Sequence, residues 1–541
     1  MPTRFGRFKM ARLGDFQPDY VIVGAGSAGC VVADQLSRSG QHKVLVLEAG
    51  QPHAFNPWTK LPLGFGKTYA DPSVNWCFET DHDPGLERRD FWPRGLVWGG
   101  SSAINGLVWI RPFASDIDGW RSASGFGWRD LQPHFDAIEN RVGVVGRDGP
   151  VPVESPEPLF DQSDRRLHQA FFDAVHQVGM KRRPHFDFDP LQPVPDCAGF
   201  YHTNTRHGLR VDCARAFLKP ALTRPNVRIL SGFNAKSLLM DQGRVVAVVS
   251  QDGHQVHAKK EVILSGGSIG SPAIMLTAGL KQILPHLGEN LTDHLGVNYS
   301  FRAKIPTTNN QLNSVIARAW SGLRYALRRR GPLALGINPA GGFFRTDVAQ
   351  NQPNIQLYLQ SLTTTTGFQK ASTGERPLLE PDPFGAFSLG LSSCRPKSRG
   401  RIDVSRQGTP IIQPNSFSHP DDMAEMLAGV KMLRRLAQAK PLADLIDHEI
   451  APGNEVQTDD DLSADIRARC GTVYHPVSTC RMGPNETEAV VDQQGRVFGV
   501  AGLRVIDASI FPTQLSVNTN ATTIALAHKL SSEMASEGTS A

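Results

Sequence analysis

The sequence predicts an α/β fold built on a doubly wound parallel sheet whose strands come from separated parts of the chain. Three observations predict it. Asp19 to Gly50, "DYVIVGAGSAGCVVADQLSRSGQHKVLVLEAG", reads as strand, glycine turn, helix, strand and acid. Two later stretches, "KKEVILSGGSIGSP" at Lys259–Pro272 and "LRVIDASIFP" at Leu503–Pro512, read as further buried strands, the first leading into a glycine turn and the second ending in Asp507. The chain of 541 residues is also too long for one simple core.

The first unit has a physical reading element by element. Tyr20 to Val23 is a short apolar run, as a strand buried on both faces should be. Gly24, Gly26 and Gly29 form G-x-G-x-x-G. Its glycines serve a tight turn, a close approach to a pyrophosphate, and close helix–strand packing. A helix from about Ala28 to Arg38 aims its N-terminal N–H groups at an anion. Val44 to Leu47 is the second strand, and Glu48 at its end is placed to accept from a ribose hydroxyl. This is a Rossmann-like dinucleotide site, and it does not choose between NAD and FAD.

Further along, Asp421 to Lys440 reads as a helix, with Met423, Met426, Leu427, Val430 and Leu433 at helical spacing. Val315 to Arg330 reads as another, with Trp320, Leu323 and Leu327 on one face and Arg318, Arg324, Arg328, Arg329 and Arg330 around them. A surface helix with a solvated basic side is the plainer reading. A helix lying on a membrane surface is the sharper one. Proline- and glycine-rich loops cover Pro184–Pro195 and Thr363–Phe387.

Composition narrows the function classes. A net charge of +5 on this length, without a Lys/Arg stripe interleaved with aromatics, argues against nucleic acid. The 7 cysteines contain no C-x-x-C, which argues against a disulfide framework or a zinc site and fits a reducing compartment; no metal is expected. The basic N-terminus "MPTRFGRFKMARLG" has no apolar core of the kind a secretory signal needs. No run of about 18 apolar residues is present, so no spanning helix is expected. These readings place the protein in the cytoplasm, with peripheral contact at the inner membrane as the consequence of the sharper helix reading.

Three further stretches carry a family resemblance. "RGLVWGGSSAINGLVWIR" (Arg94–Arg111), "GGSIGSPAIMLTAGL" (Gly266–Leu280) and "YHPVSTCRMG" (Tyr474–Gly483), the last followed by "LRVIDASIFPTQLSVNTNATTIALA", stand in the order found in glucose–methanol–choline (GMC) flavoprotein oxidoreductases. Smaller matches stand before and between them: "VNWCFET" at Val74, "DIDGW" at Asp116, "PHLGENLTDH" at Pro285 and "RPKSRGRIDV" at Arg395. The chain resembles that family from Asp19 to Leu530, in its alcohol/choline dehydrogenase-like branch.

The resemblance implies a Rossmann-like FAD-binding domain in discontinuous segments and a substrate domain with an antiparallel sheet backed by helices. Residues 15–300 are then mostly the FAD domain, with substrate-domain insertions at about 56–90 and 120–200. Residues 301–460 are mostly the substrate domain, and 461–541 return to the FAD domain with the catalytic block. It implies cofactor contacts at Gly24, Gly26, Ser27, Ala28, Gly29, Glu48 and Ala49. It implies others at Trp76, Arg94, Gly95, Val97, Gly99, Gly100, Ser101, Asn105, Gly106, Leu107 and Val108, and at Ala235, Asp507, Ala508, Asn518 and Thr519. Taken alone, Asp507 at a strand end reads equally as a helix cap. Ile104 stands where covalently flavinylated members carry His, so FAD is expected to be noncovalent.

The same resemblance makes His475 the catalytic base. An alcohol is a very weak acid, so its proton must be taken by a pre-positioned group as hydride leaves carbon for flavin N5. Imidazole suits that task near neutral pH. Asn518 falls at the family's second catalytic position and can donate to the developing alkoxide. Asn520, two residues on, reads as a loop cap.

Several positions depart from the family pattern. Leu96 stands where Lys or Arg is usual, and Ala278-Gly279-Leu280-Lys281 replaces S-G-aliphatic-G. Pro339 precedes "AGGF" where choline-type members carry an acid, so an uncharged primary or secondary alcohol is expected. Trp58–Phe65, Tyr358–Thr366 and Cys394 are candidate pocket residues. The acceptor is expected to be a quinone or carrier, making the protein a dehydrogenase, with an oxygen-using oxidase as the alternative. A lyase or photodecarboxylase on the same fold is the reading from another class. The presence of both His475 and Asn518 argues against it.

Overall fold

The computed structural model describes residues 15–52, 56–141, 144, 146–364 and 379–537. The basic N-terminal stretch and the middle of the Thr363–Phe387 loop lie outside them.

The expected parallel sheet is present. Its strands are β1 (Tyr20–Val23), β2 (Val44–Glu48), β3 (Val227–Ser231), β4 (Glu261–Leu264) and β5 (Leu503–Val505), in the order β3-β2-β1-β4-β5. All pairings are parallel, with Tyr20 opposite Val44 on one side and Glu261 on the other. β1 and β2 are buried throughout, and so are Val262 to Leu264 and all of β5. This is why they read as unbroken apolar runs rather than alternating ones. The stretches at Lys259 and Leu503 supply β4 and β5, so the sheet is assembled from four separate regions of chain. Helix α1 (Ser27–Ser37) follows β1, and α2 (Gly267–Thr277) follows β4. A three-stranded antiparallel meander, Ala235–Asp241, Arg244–Ser250 and Gln255–His257, connects β3 to β4.

The second layer is an eight-stranded, largely antiparallel sheet. Its central strands are Leu295–Ala303, Ala386–Ser393, Ile355–Gln360, Ala340–Phe344 and Cys197–Phe200, in that order. The helices Gln162–Gln177, Pro420–Gln438 and Asp459–Arg469 pack with it in one apolar core. Pro420–Gln438 is the helix expected at Asp421, and it buries Met426, Val430 and Leu433.

Segment membership differs from the expectation in two places. Of the stretch 120–200, the helix Trp128–Ile138 packs on the C-terminal helix α4 (Asn520–Glu537) in the parallel-sheet core; the larger sheet's core holds Phe160 to Met180, and Phe186, Val194 and Cys197 return to the first. Trp120, Phe135 and Ile138 are fully buried there, and this apolar weight holds the segment to the first layer. At the other end, Asp459–Arg469 and the short strand Gly471–Thr472 still belong to the larger sheet, so the return comes just before His475.

The helix expected at Val315 spans Val315–Arg328, here α3. It buries only Ser321 and Tyr325.

Candidate active site

A cavity of about 1810 Å³ runs between the two layers. From the first unit it is lined by Gly24, Gly26, Ser27, Ala28, Glu48 and Ala49. Trp76, Arg94, Gly95, Gly100, Ser101 and Asn105 to Val108 form another part of its wall. Ala235, His475, Asp507, Ala508, Asn518 and Thr519 complete the predicted set on it. Gly29, Val97 and Gly99 stand behind the wall. Gly29 lets α1 cross β1's turn, since a Cβ there would collide with the Gly24 carbonyl oxygen. Val97 packs with Val74, Ala103 and Ile104, and Gly99 turns the chain at φ +91°.

The cavity fits FAD by observations of its own. The N-terminus of α1 has no side-chain cap, so its first N–H groups are left to an anion. Two chain segments meet at the floor: a Cβ on Gly100 would stand 2.7 Å from the Gly26 Cα. Gly100 also holds φ +52°. Gly100→Ala should therefore destabilise the protein by about 1–3 kcal/mol and reduce flavin content, read by thermal unfolding and by absorbance of the purified protein.

Glu48 accepts from the Ala25 N–H at 2.7 Å and the Gly50 N–H at 2.6 Å. Burial raises its pKa to about 7 against the pull of those two donors. Each oxygen keeps a lone pair for a ribose hydroxyl. Asp507 does cap a helix: it accepts from Ser509 N at 2.8 Å. Its other oxygen accepts from Gly267 N at 2.8 Å and Ser271 Oγ at 2.6 Å, tying β5 to the start of α2. Asn520 opens α4 and accepts from Ser27 Oγ at 2.8 Å.

Arg210 is a supporting residue that sequence reading missed. Fully buried, it donates to Asn105 Oδ1 at 2.6 Å, Asn105 O at 2.7 Å and Ser102 O at 3.2 Å. It braces the whole Gly99–Asn105 loop, and burial lowers its pKa to about 9.

The two predicted catalytic side chains meet. Asn518 Nδ2 lies 3.0 Å from His475 Nε2, although 43 residues separate them. Asn518 Oδ1 accepts from Gln356 Nε2 at 3.1 Å, which fixes which way the amide points. Behind His475 stands His294, with Nδ1 to Nδ1 at 2.9 Å. His294 Nε2 is held between the carbonyl oxygens of Cys394 at 2.9 Å and Leu515 at 2.7 Å.

This chain of contacts sets the proton positions. Carbonyl oxygens only accept, so His294 Nε2 carries a hydrogen. Burial lowers the His294 pKa to about 4, so the ring is neutral and its Nδ1 is bare. The facing Nδ1 of His475 must then donate. Burial, the His294 ring and the Arg94 cation hold the His475 pKa well below the usual imidazole value. Its Nε2 is therefore an unprotonated lone pair on the cavity wall, beside the Asn518 N–H.

The backbone at His475 is anchored from several sides. Its N–H donates to Asp293 Oδ1 at 2.7 Å, and its carbonyl accepts from Gln514 at 3.0 Å. Burial raises the Asp293 pKa to about 6. Tyr474 has φ +71°, unusual for a bulky residue. It is held there by Arg94 on its carbonyl at 2.8 Å and by Tyr69 on its hydroxyl at 2.7 Å.

Of the pocket candidates, Trp58, Leu63, Gly64 and Phe65 line the cavity, as do Tyr358, Gln360 and Leu362 to Thr364. Thr365 and Thr366 lie outside the described residues. Cys394 contributes its carbonyl to His294, and its thiol is buried.

Comparison with known proteins agrees with this geometry. Family models described as GMC oxidoreductase match residues 18–296 and 396–527. The chain is 35% identical to "Alcohol dehydrogenase [acceptor]" of Pseudomonas putida, covering 94% of both chains. It is 32% identical to the mitochondrial choline dehydrogenase of Homo sapiens, over 94% of this chain and 88% of that one. Among solved structures, pyridoxine 4-oxidase from Mesorbium loti superposes with a TM-score of 0.82 at 26% identity, over 96% of this chain and 99% of that one. A formate oxidase superposes at 0.86 with 22% identity, a likeness of fold, over 97% and 99%. The chain belongs to the GMC oxidoreductase family, whose cofactor is FAD.

Proposed function

We propose that the protein oxidises an uncharged primary or secondary alcohol to the carbonyl and passes the electrons to a quinone or carrier rather than to oxygen. The observation that carries this reading is the neutral His475 Nε2 paired at 3.0 Å with the Asn518 amide on the wall of a cofactor-sized cavity. FAD, held noncovalently, supplies the hydride acceptor. Gly26, Glu48, Gly100 and Asn105 are the residues placed to hold it, and Ile104 offers no side chain for a covalent link.

A hydroxyl that displaces the Asn518–His475 hydrogen bond gives its proton to Nε2 and accepts from Nδ2. The amide then steadies the oxygen as charge develops on it. Trp58, Leu63, Phe65, Leu312, Ile337 and Leu362 give the cavity apolar wall. Position 339, next to the strand Ala340–Phe344, holds proline and not an acid, which favours an uncharged substrate over a quaternary ammonium. The similarity to "Alcohol dehydrogenase [acceptor]" of Pseudomonas putida supports the choice of acceptor.

The test is anaerobic. Aliphatic, aromatic and sugar alcohols are added singly to the FAD-loaded protein while its visible spectrum is followed. One class should bleach the flavin, and a soluble quinone should restore the colour faster than air does. A flavin that stays oxidised with every alcohol would sink the alcohol reading. Faster recovery in air would make the protein an oxidase.

A further inference from the structure

We propose that α3 is an interfacial helix that seats the protein on an anionic phospholipid surface. Ile316, Trp320, Leu323 and Leu327 follow the i, i+4, i+7, i+11 rhythm that forms one stripe along a helix. With Val315 they are between 49% and 82% exposed. They are five of the ten large apolar side chains exposed among the described residues, gathered within one 14-residue helix. Scattered single exposures are ordinary, but a contiguous stripe marks a contact surface.

The stripe faces outward because the other side of α3 is fastened. Ser321 Oγ donates to Gln311 O at 2.9 Å, Tyr325 OH donates to Gly208 O at 2.8 Å, and Arg324 pairs with Asp161 at 3.1 Å. At 1.5 Å per residue the helix rises roughly 21 Å, short of the ~30 Å hydrocarbon core, so it would lie in the surface and not across it. No helix among the described residues is long and apolar enough to cross.

Charge selects the partner. Residues 315–330 carry five arginines and no acid. Among the described residues only Arg324 has a carboxylate partner, and Arg318 donates to the Leu312 carbonyl on the cavity side, leaving Arg328, Arg329 and Arg330 for other anions. A second copy of the same basic face would be repelled, whereas an anionic lipid surface supplies both an apolar layer and negative headgroups. Tryptophan at the centre of the stripe suits that boundary. The consequence for catalysis rests on the alcohol reading. Arg318 and Gly322, on the opposite side of α3, line the cavity that holds His475. Docking would set that cavity beside the lipid.

The experiment is vesicle flotation of the FAD-loaded full chain with phosphatidylcholine alone and with phosphatidylcholine–phosphatidylglycerol. The protein should float with the anionic vesicles and be released by high salt. Ile316→Ser/Trp320→Ser/Leu327→Ser should lower partitioning at least about ten-fold. Arg328→Gln/Arg330→Gln should lower it roughly twenty-five-fold on anionic vesicles only, about five-fold per arginine. None of these five side chains lines the cavity, so flavin bleaching by a water-soluble alcohol should survive in both variants.

A wild-type chain that stays with the soluble fraction on both vesicle types overturns the proposal, and so does a stripe variant that floats like wild type. Light scattering that shows a dimer, broken by the stripe variant, without flotation would assign the face to a second copy and overturn it too. Flotation without bleaching would instead sink only the alcohol reading.

Discussion

His475→Ala should slow flavin reduction by the alcohol about 10²–10⁴-fold, the range expected when a positioned general base is lost. The protein should keep its FAD, because the residues placed to hold the dinucleotide stand elsewhere on the wall. Stopped-flow absorbance under anaerobic conditions reads the rate, and the flavin spectrum of the resting variant reads the loading. Asn518→Ala removes one donor to the developing oxyanion and should cost about 10²–10³-fold. The two losses should add to less than their sum in free energy, since the side chains touch and share one substrate oxygen.

The wild-type pH profile carries the same argument. Burial holds the His475 pKa well below about 6.5, so the base is already unprotonated in neutral and mildly acid solution. Protonation is what removes activity, so the rate should hold as pH falls to 6.5 and decline only below it. A rate already halved at 6.5 or above would contradict a neutral, buried base.

Much of this was readable in the residues, for identifiable reasons. Strands β1, β2, β4 and β5 are local signals: each is a short apolar run, and in β1 and β4 the run ends at a glycine turn. His475 and Asn518 were reached through motifs that fix them within their own short segments. What sequence could not show is contact between segments. Nothing in the Asp-His pair at 293–294 announces a partner 181 positions away. Gln356 sits on a central strand of the large sheet, and its side chain meets Asn518 only because the two layers close over the cavity. Arg210 looked like one arginine among many, yet it braces the loop at Asn105. Segment membership was hard to read for a related reason, since Trp128–Ile138 packs with the layer that buries its aromatic face. On α3 the residues allowed both readings, and exposure of the stripe is what the sequence could not supply.

The largest effect outside the reacting pair should come at His294, which acts through His475 as a positioning residue. His294→Phe keeps a flat ring of similar bulk but removes the acceptor for His475 Nδ1–H. It also strips a donor from the Cys394 and Leu515 carbonyls, at a stability cost of about 1–3 kcal/mol. The His475 ring is then free to place its hydrogen on Nε2, which silences the base. The rate of flavin reduction should fall about 10²-fold or more, with KM nearly unchanged, because the lost interaction serves the transition state and not substrate binding. His294→Gln offers the rescue: its amide N–H can donate to the carbonyls while its oxygen accepts from His475 Nδ1. A positioning role therefore ranks Gln well above Phe in rate. A merely space-filling role ranks them the other way, since phenylalanine preserves the packing of a ring that is fully buried.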